Sequence, residues 1–225
     1  MENLKDSTVK IRPLVYWIGG ATALAGLLFG LDVGVISGAM EFIQTDFHLS
    51  DQTLEWIVSA LLVGAVIGAL LAGFFSNTFG RKKTLLLSGF IFIVGSLCCS
   101  LSASPEELIA ARFLLGIAVG MADLTAPLYL SETSPEKIRG IMISLYQLMV
   151  TIGIMLSYIS DLFFGTVVSV HGDIGGHWRL MLAVIMLPAA VMFCGVLFLP
   201  ESPRWFFLKG FKNRGMDVFR RIFSS

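Results

Sequence analysis

Asp32 is an acid in the middle of an apolar run. It stands in Gly26-Leu-Leu-Phe-Gly-Leu-Asp-Val-Gly-Val-Ile-Ser-Gly38, within a stretch of low polarity from Leu14 to Met40. A carboxylate inside a long apolar helix costs about 2.5–3.5 kcal/mol on insertion scales, so a functional role with a named partner is the default expectation. A cation that can answer it is Arg112, itself inside an apolar run. Such a pair is a proton switch: the guanidinium favours the charged acid, desolvation favours the neutral one, and separating or wetting the two changes whether the acid holds a proton. The bland alternative is a static ion pair that only fixes helix packing. Gln147 lies in a third apolar run, where its amide offers two donors and an acceptor to a polyhydroxylated solute or to a neighbouring helix. Asp123 follows Arg112 by eleven residues, on nearly the same helix face about 16 Å deeper. Three readings of it stay open: a second protonatable site, a packing acid and a source of instability.

Elements long enough to hold these residues in a bilayer are evident. Of the 225 residues 56% are hydrophobic and 14% charged, against about 25% charged in soluble chains. Windows of about 20 residues predict six membrane helices, near 14–40, 54–76, 84–103, 107–130, 140–160 and 179–199. Basic residues alternate between the connections. Arg81, Lys82, Lys83, Lys137, Arg139 and the tail after residue 200 are basic, whereas 41–53, 104–107 and 161–177 contain no Lys or Arg. The positive-inside rule then puts both termini in the cytoplasm. Lys5, Lys10 and Arg12 precede a run too long for a signal peptide, which reads as a retained first span. In this frame Asp32 lies about 12 Å below the outer end of its helix and Arg112 about 8–9 Å below its own, at similar depth, while Gln147 lies about 12 Å in from the cytoplasmic side.

Packing follows from small residues. Gly26, Gly30, Gly34 and Gly38 form one slowly turning stripe, and Asp32 points about 180° from its middle. Gly64, Gly68 and Ala72, and Gly116 and Gly120, repeat the spacing, which lets membrane helices approach closely. Glu55 and Trp56 mark an outer interface. Cys98, Cys99 and Cys194 read as apolar filler, and His171 and His177 sit in an outer loop without metal-ligand spacing. No nucleotide loop, zinc-protease helix or nucleophile elbow is present, and no basic patch suits nucleic acid. The expectation is no catalytic residue, no metal and no cofactor.

Several motifs in order resemble the sugar porter family of the major facilitator superfamily, in its N-terminal half, and are most similar to its bacterial galactose–proton symporters. They are the Gly26–Gly38 stretch, Gly80-Arg-Lys-Lys83, Arg112-Phe-Leu-Leu-Gly116, Ala126-Pro-Leu-Tyr-Leu-Ser-Glu132, Pro135-Glu-Lys-Ile-Arg-Gly140, Tyr146-Gln-Leu-Met149 and Pro200-Glu-Ser-Pro-Arg-Trp205. The resemblance implies an all-α membrane protein: a six-helix bundle, one half of a major facilitator fold, made of two inverted three-helix repeats. It implies that Asp32 carries the coupling proton with Arg112 as counter-charge, and that Phe29 and Gln147 line the sugar site. It also implies that Gly80, Arg81, Glu132, Arg139, Glu201 and Arg204 belong to the cytoplasmic gate motifs.

The implied organisation is a cytoplasmic N-terminus (1–13), a six-helix transporter domain (14–199) and the start of an inter-domain segment (200–225). The C-terminal half is absent, as in a truncated form, and is to be supplied in cis or trans. The implied function is proton-coupled uptake of a hexose such as galactose or glucose by alternating access, in the inner membrane of a bacterium. Its partners are the sugar, the proton and the lipid bilayer. A non-transporting membrane fragment and a proton-independent facilitator are the alternatives. Asn77 replaces an acid frequent in the superfamily, Ile154 stands where xylose-type symporters have a second sugar-binding glutamine, and Asp123 stands where a small residue is usual.

Overall fold

The computed structural model of the chain describes residues 13–167 and 174–223. The elements are α1 (Pro13–Phe47), α2 (Asp51–Phe79), α3 (Arg81–Leu101), α4 (Pro105–Thr133), α5 (Glu136–Val167), α6 (Ile174–Val184), α7 (Met186–Leu197), α8 (Pro203–Leu208) and α9 (Lys212–Phe223). No strand occurs among the described residues. In hydrocarbon every backbone N–H and C=O must find a partner within its own segment, and long helices meet that demand. Six spans are long and apolar enough to cross a membrane: α1 to α4, most of α5, and His177–Leu197, which takes in most of α6 and all of α7.

The helices run beyond the apolar windows. The expected connection 41–53 shrinks because α1 continues to Phe47 and α2 begins at Asp51. Ser50 caps α2, accepting from the Thr53 N–H at 3.3 Å. Ser104 caps α4 in the same way, accepting from Glu107 N–H at 3.3 Å, while Glu107 Oε2 accepts from Ala103 N–H at 2.8 Å. These polar turns carry no hydrophobic signal, yet their caps satisfy the first amide donors and extend the helices into water. Between α2 and α3 the connection is Gly80 alone.

Other departures lie at the sixth span and the tail. The expected helix 179–199 is divided at Ile185, because Pro188 has no N–H for the Val184 carbonyl. His177, expected in a loop, lies buried in α6 with its ring 5.8 Å from Phe42, and Asp161 belongs to α5. His171 and the basic residues Lys5, Lys10 and Arg12 lie outside the described residues. The tail forms a short hairpin, α8 against α9, with Phe206 stacked edge-on to Phe211.

Glycine decides which helices pair. The α1 stripe lies on α5: a methyl at Gly30 would overlap the Val150 carbonyl, one at Gly26 the Tyr146 carbonyl, and one at Gly34 the Ser157 side chain. Gly153 of α5 answers, facing the Leu27 carbonyl. On the other side Gly64 and Gly68 of α2 face the Phe113 and Ile117 carbonyls, and Gly116 and Gly120 of α4 face those of Leu61 and Ala65. Exchanging the first three spans with the last three turns the α1/α5 contact into α4/α2, as two inverted three-helix repeats require. The fold is therefore half of a major facilitator bundle.

Gly30→Ala should lower stability by about 1–3 kcal/mol, because the added methyl meets backbone that cannot yield. Gly73→Ala, where a methyl meets nothing within 4 Å, should leave it unchanged or slightly higher. Thermal unfolding of both variants in detergent checks the pair.

Candidate functional site

With the glycine face of α1 committed to α5, the opposite face turns Asp32 to α4. Arg112 NH1 donates to Asp32 Oδ1 at 2.6 Å, and both side chains are buried. The two residues are thus joined as their types and depths predict, by one contact rather than a two-pronged one. Asp32 Oδ2 and Arg112 Nε are buried without a hydrogen-bond partner. A single contact holds the charges together less tightly than a bidentate guanidinium–carboxylate fork, so the pair is a separable one.

Phe29 stands about one turn before Asp32 on α1, and Gln147 lies on α5. Gln147 is exposed on α5 and Phe29 is half-buried on α1. Ile154 lies against α1, where its backbone nitrogen would meet a methyl added at Gly30. Asp123 does have a partner, which the sequence did not disclose: Tyr146 Oη donates to its Oδ1. Tyr146 reads as one more large residue in an apolar run, and only the i, i+23 juxtaposition of α4 and α5 reveals the contact.

A second cluster gathers where α2 meets α3, at the basic end of the bundle. Arg81 Nε lies 2.9 Å from Glu132 Oε2 and its NH2 donates to Oε1 at 2.9 Å, while its NH1 donates to the Ser76 carbonyl at 3.0 Å. Ser202 Oγ donates to Glu132 Oε2 at 2.5 Å. Glu201 Oε1 accepts from the backbone N–H groups of Arg81, Lys82 and Ser202 at 2.9, 3.1 and 2.8 Å. Gly80 stands at φ +103°, and a methyl there would overlap Glu201 Oε2. Glycine is required twice, for its dihedral and for the approach of the carboxylate. Burial pushes the Glu201 carboxyl above the usual carboxylate range, against the pull of those three amides and Arg81. Arg204 reaches Glu132 only at 4.0 Å and is largely exposed. Arg139, expected among these residues, is exposed and joins none of the contacts, because α5 begins at Glu136 and carries it outward.

At the other end Asp46 Oδ2 accepts from Trp178 Nε1 at 3.0 Å and from Arg179 NH1 at 3.3 Å, and Arg179 NH2 donates to the Ser102 carbonyl at 3.1 Å. This clasp of α1, α6 and the end of α3 went unread in the sequence, where Asp46 is one of several interfacial acids. No group of three or more metal-ligating side chains occurs among the described residues.

With this geometry in hand, the chain can be compared with known proteins. Residues 20–224 match the family model "Sugar (and other) transporter". The chain is 50% identical over 209 residues to the galactose-proton symporter of Escherichia coli strain K12, covering 93% of this chain and 43% of that one. It is 47% identical over 211 residues to the arabinose-proton symporter of the same strain, covering 94% and 43%. The solved structure of the proton:xylose symporter XylE bound to 6-bromo-6-deoxy-D-glucose is similar with a TM-score of 0.85 at 29% identity, over 92% of this chain and 49% of that one. The chain thus spans less than half the length of the curated relatives it matches.

If the pair is held as described, Arg112→Leu should cost about 3–5 kcal/mol by leaving a buried acid unpaired. Adding Asp32→Asn should restore most of that loss. A double-mutant cycle on unfolding in detergent reads the coupling, and additive losses would mean that the two residues do not interact.

Proposed function

The chain belongs to the sugar transporter family, and from that premise we propose that it is the N-terminal six-helix part of a proton-coupled sugar symporter. The observation that carries this reading is the buried, single-contact Asp32–Arg112 pair. Protonating Asp32 removes one of two charges that attract each other in a low dielectric. The carboxylic acid then holds Arg112 through a neutral bond, and α1 and α4 are free to shift relative to one another. Coupling follows if that shift is permitted only with sugar bound, so that proton and sugar cross together.

The relatives are named for galactose and arabinose, and Ile154 in place of a second amide favours a hexose. Gln147, exposed on α5, supplies donors and an acceptor for sugar hydroxyls, with Phe29 as an apolar wall. Residues 14–199 form the transporter domain. Residues 200–225 begin the segment that leads to a second half, in the same chain or another. The basic end, with Arg81, Glu132, Glu201 and Arg204, is the cytoplasmic gate in the inner membrane of a bacterium, which leaves both termini in the cytoplasm. The coupling ion is the proton alone, and no cofactor or nucleic acid takes part.

The test uses vesicles in which the chain is assembled with the complementary half of the galactose-proton symporter. Asp32→Asn should abolish accumulation against a gradient while leaving sugar exchange, and unimpaired accumulation would remove the coupling role. Uptake indifferent to the pH gradient in the unsubstituted assembly would identify a facilitator. Gln147→Ala should weaken sugar affinity about tenfold, the loss of a net hydrogen bond of about 1.4 kcal/mol. An unchanged affinity would exclude Gln147 from the site.

A further inference from the structure

We propose that Asp123 and Tyr146 form a second proton-binding site of this chain, distinct from Asp32 and nearer the basic end. Asp123 lies within the α4 span and is half-buried. Unlike Asp32 it has no guanidinium or ammonium group within ion-pairing distance among the described residues. What faces it is the Tyr146 hydroxyl of α5, which donates to Oδ1. Among the described residues, the surrounding elements bring no ion pair to it. The half of α1 nearer the basic end carries Tyr16, which is exposed, and otherwise no ionisable group after Pro13. That of α2 carries none, and α3 has its charges at its first three residues. There Arg81 is held by Glu132 and Lys82 Nζ by the Leu197 carbonyl. On α5, Lys137 and Arg139 precede Tyr146 by seven residues or more, about 10 Å along the helix.

The backbone adds a second, independent observation. Pro127 lies inside α4, and a proline at that position cannot supply the N–H that would bond the carbonyl four residues earlier. That carbonyl belongs to Asp123. One half-buried residue within the span therefore presents two carboxylate oxygens and a proline-freed carbonyl, and the Tyr146 hydroxyl is the side-chain donor that meets it. A proton on the carboxyl removes the unpaired charge and converts one surplus acceptor into a donor. Tyr146 keeps its bond to the remaining oxygen in either state.

The site stands next to the proposed sugar contact in sequence, since Tyr146 precedes Gln147 and packs its backbone on Gly26 of α1. Loss of the proton would recharge Asp123 against the Tyr146 hydroxyl, so the state of this site acts on the segment of α5 that presents Gln147. The proposal does not require Asp32 to be the coupling acid.

Infrared difference spectroscopy of the full chain in lipid nanodiscs, titrated with pH, reads the C=O stretch of protonated carboxyl groups directly. At neutral pH, where solvent-exposed carboxyls are ionised, a protonated-carboxyl band should be present. The component of it that belongs to Asp123 should vanish in Asp123→Asn and persist in Asp32→Asn, while any component from Asp32 or Glu201 stays in Asp123→Asn. Tyr146→Phe, which removes the donor, should move that band to higher frequency without abolishing it. A band unchanged in intensity by Asp123→Asn, or none in the unsubstituted chain, overturns the proposal, as does an Asp123 component indifferent to Tyr146→Phe. Should Asp123→Asn fail to fold, Asp123→Ser, the size usual at this position in the family, takes its place. A failed coupling role for Asp32 would show in transport and leave this band unaltered.

Discussion

In lipid a helix gains nothing by hiding leucine from its surroundings, so the approach of one backbone to another decides how this bundle is built. Two lines of glycine make that approach. α1 lies on α5 at Gly26, Gly30 and Gly34, and α2 on α4 at Gly64, Gly68, Gly116 and Gly120, each pair close enough that a methyl would strike a carbonyl or a side chain. The Asp32–Arg112 and Asp123–Tyr146 contacts depend on these approaches. Because the glycine face of α1 is occupied by α5, the remaining face meets α4, and Asp32 arrives opposite Arg112.

Charge inside the bundle is then arranged by what each acid is given. Asp32 has a full counter-charge and a single hydrogen bond to it. Asp123 has a hydroxyl and, among the described residues, no cation. Glu201, outside the spans, has three backbone amides and the neighbouring Arg81. The three environments are graded in how strongly they stabilise an ionised carboxylate, which makes the three acids respond differently to a proton. Of the two acids within the spans, Asp32 is the one whose loss of charge acts directly on a second ionised side chain.

The ion pair and the six spans were legible in the sequence because opposite charges within apolar runs are rare and expensive, which leaves few partners to choose from. The ends of the helices were not. A hydropathy window stops where water begins, whereas α1 continues through Glu41 and Asp46 to Phe47, and α5 continues past Asp161. The cluster at Gly80 was legible as a set of family motifs but not as geometry. Nothing in Gly80 or Glu201 alone says that one carboxylate oxygen accepts the amides of Arg81, Lys82 and Ser202. Arg139 fell outside that cluster for the same reason, since its side-chain direction depends on where α5 starts. Asp123 lacked a partner in the sequence because its partner is a tyrosine, which hydropathy counts as bulk.

The bundle is stiff in two pieces and adjustable between them. Within α1/α5 and within α2/α4, backbone lies on backbone, and a shift by even a methyl's radius meets repulsion. Between the pairs the links are side chains, Asp32 with Arg112 and Asp123 with Tyr146, both reaching out of α4. A side-chain link stretches or parts where a backbone contact cannot, and both links include an acid. Neutralising Asp32 therefore acts on the relation between two preformed helix pairs rather than on the fold of either. In the proposed function, a proton on Asp32 acts on that side-chain link and leaves the backbone contacts within each pair in place. The ends limit such a shift: Glu132 and Glu201 tie α3, α4 and the chain after α7 at one, and at the other Asp46 ties α1 to α6, whose Arg179 bonds the end of α3. Between those tied ends, α1 and α4 meet through the single Asp32–Arg112 hydrogen bond.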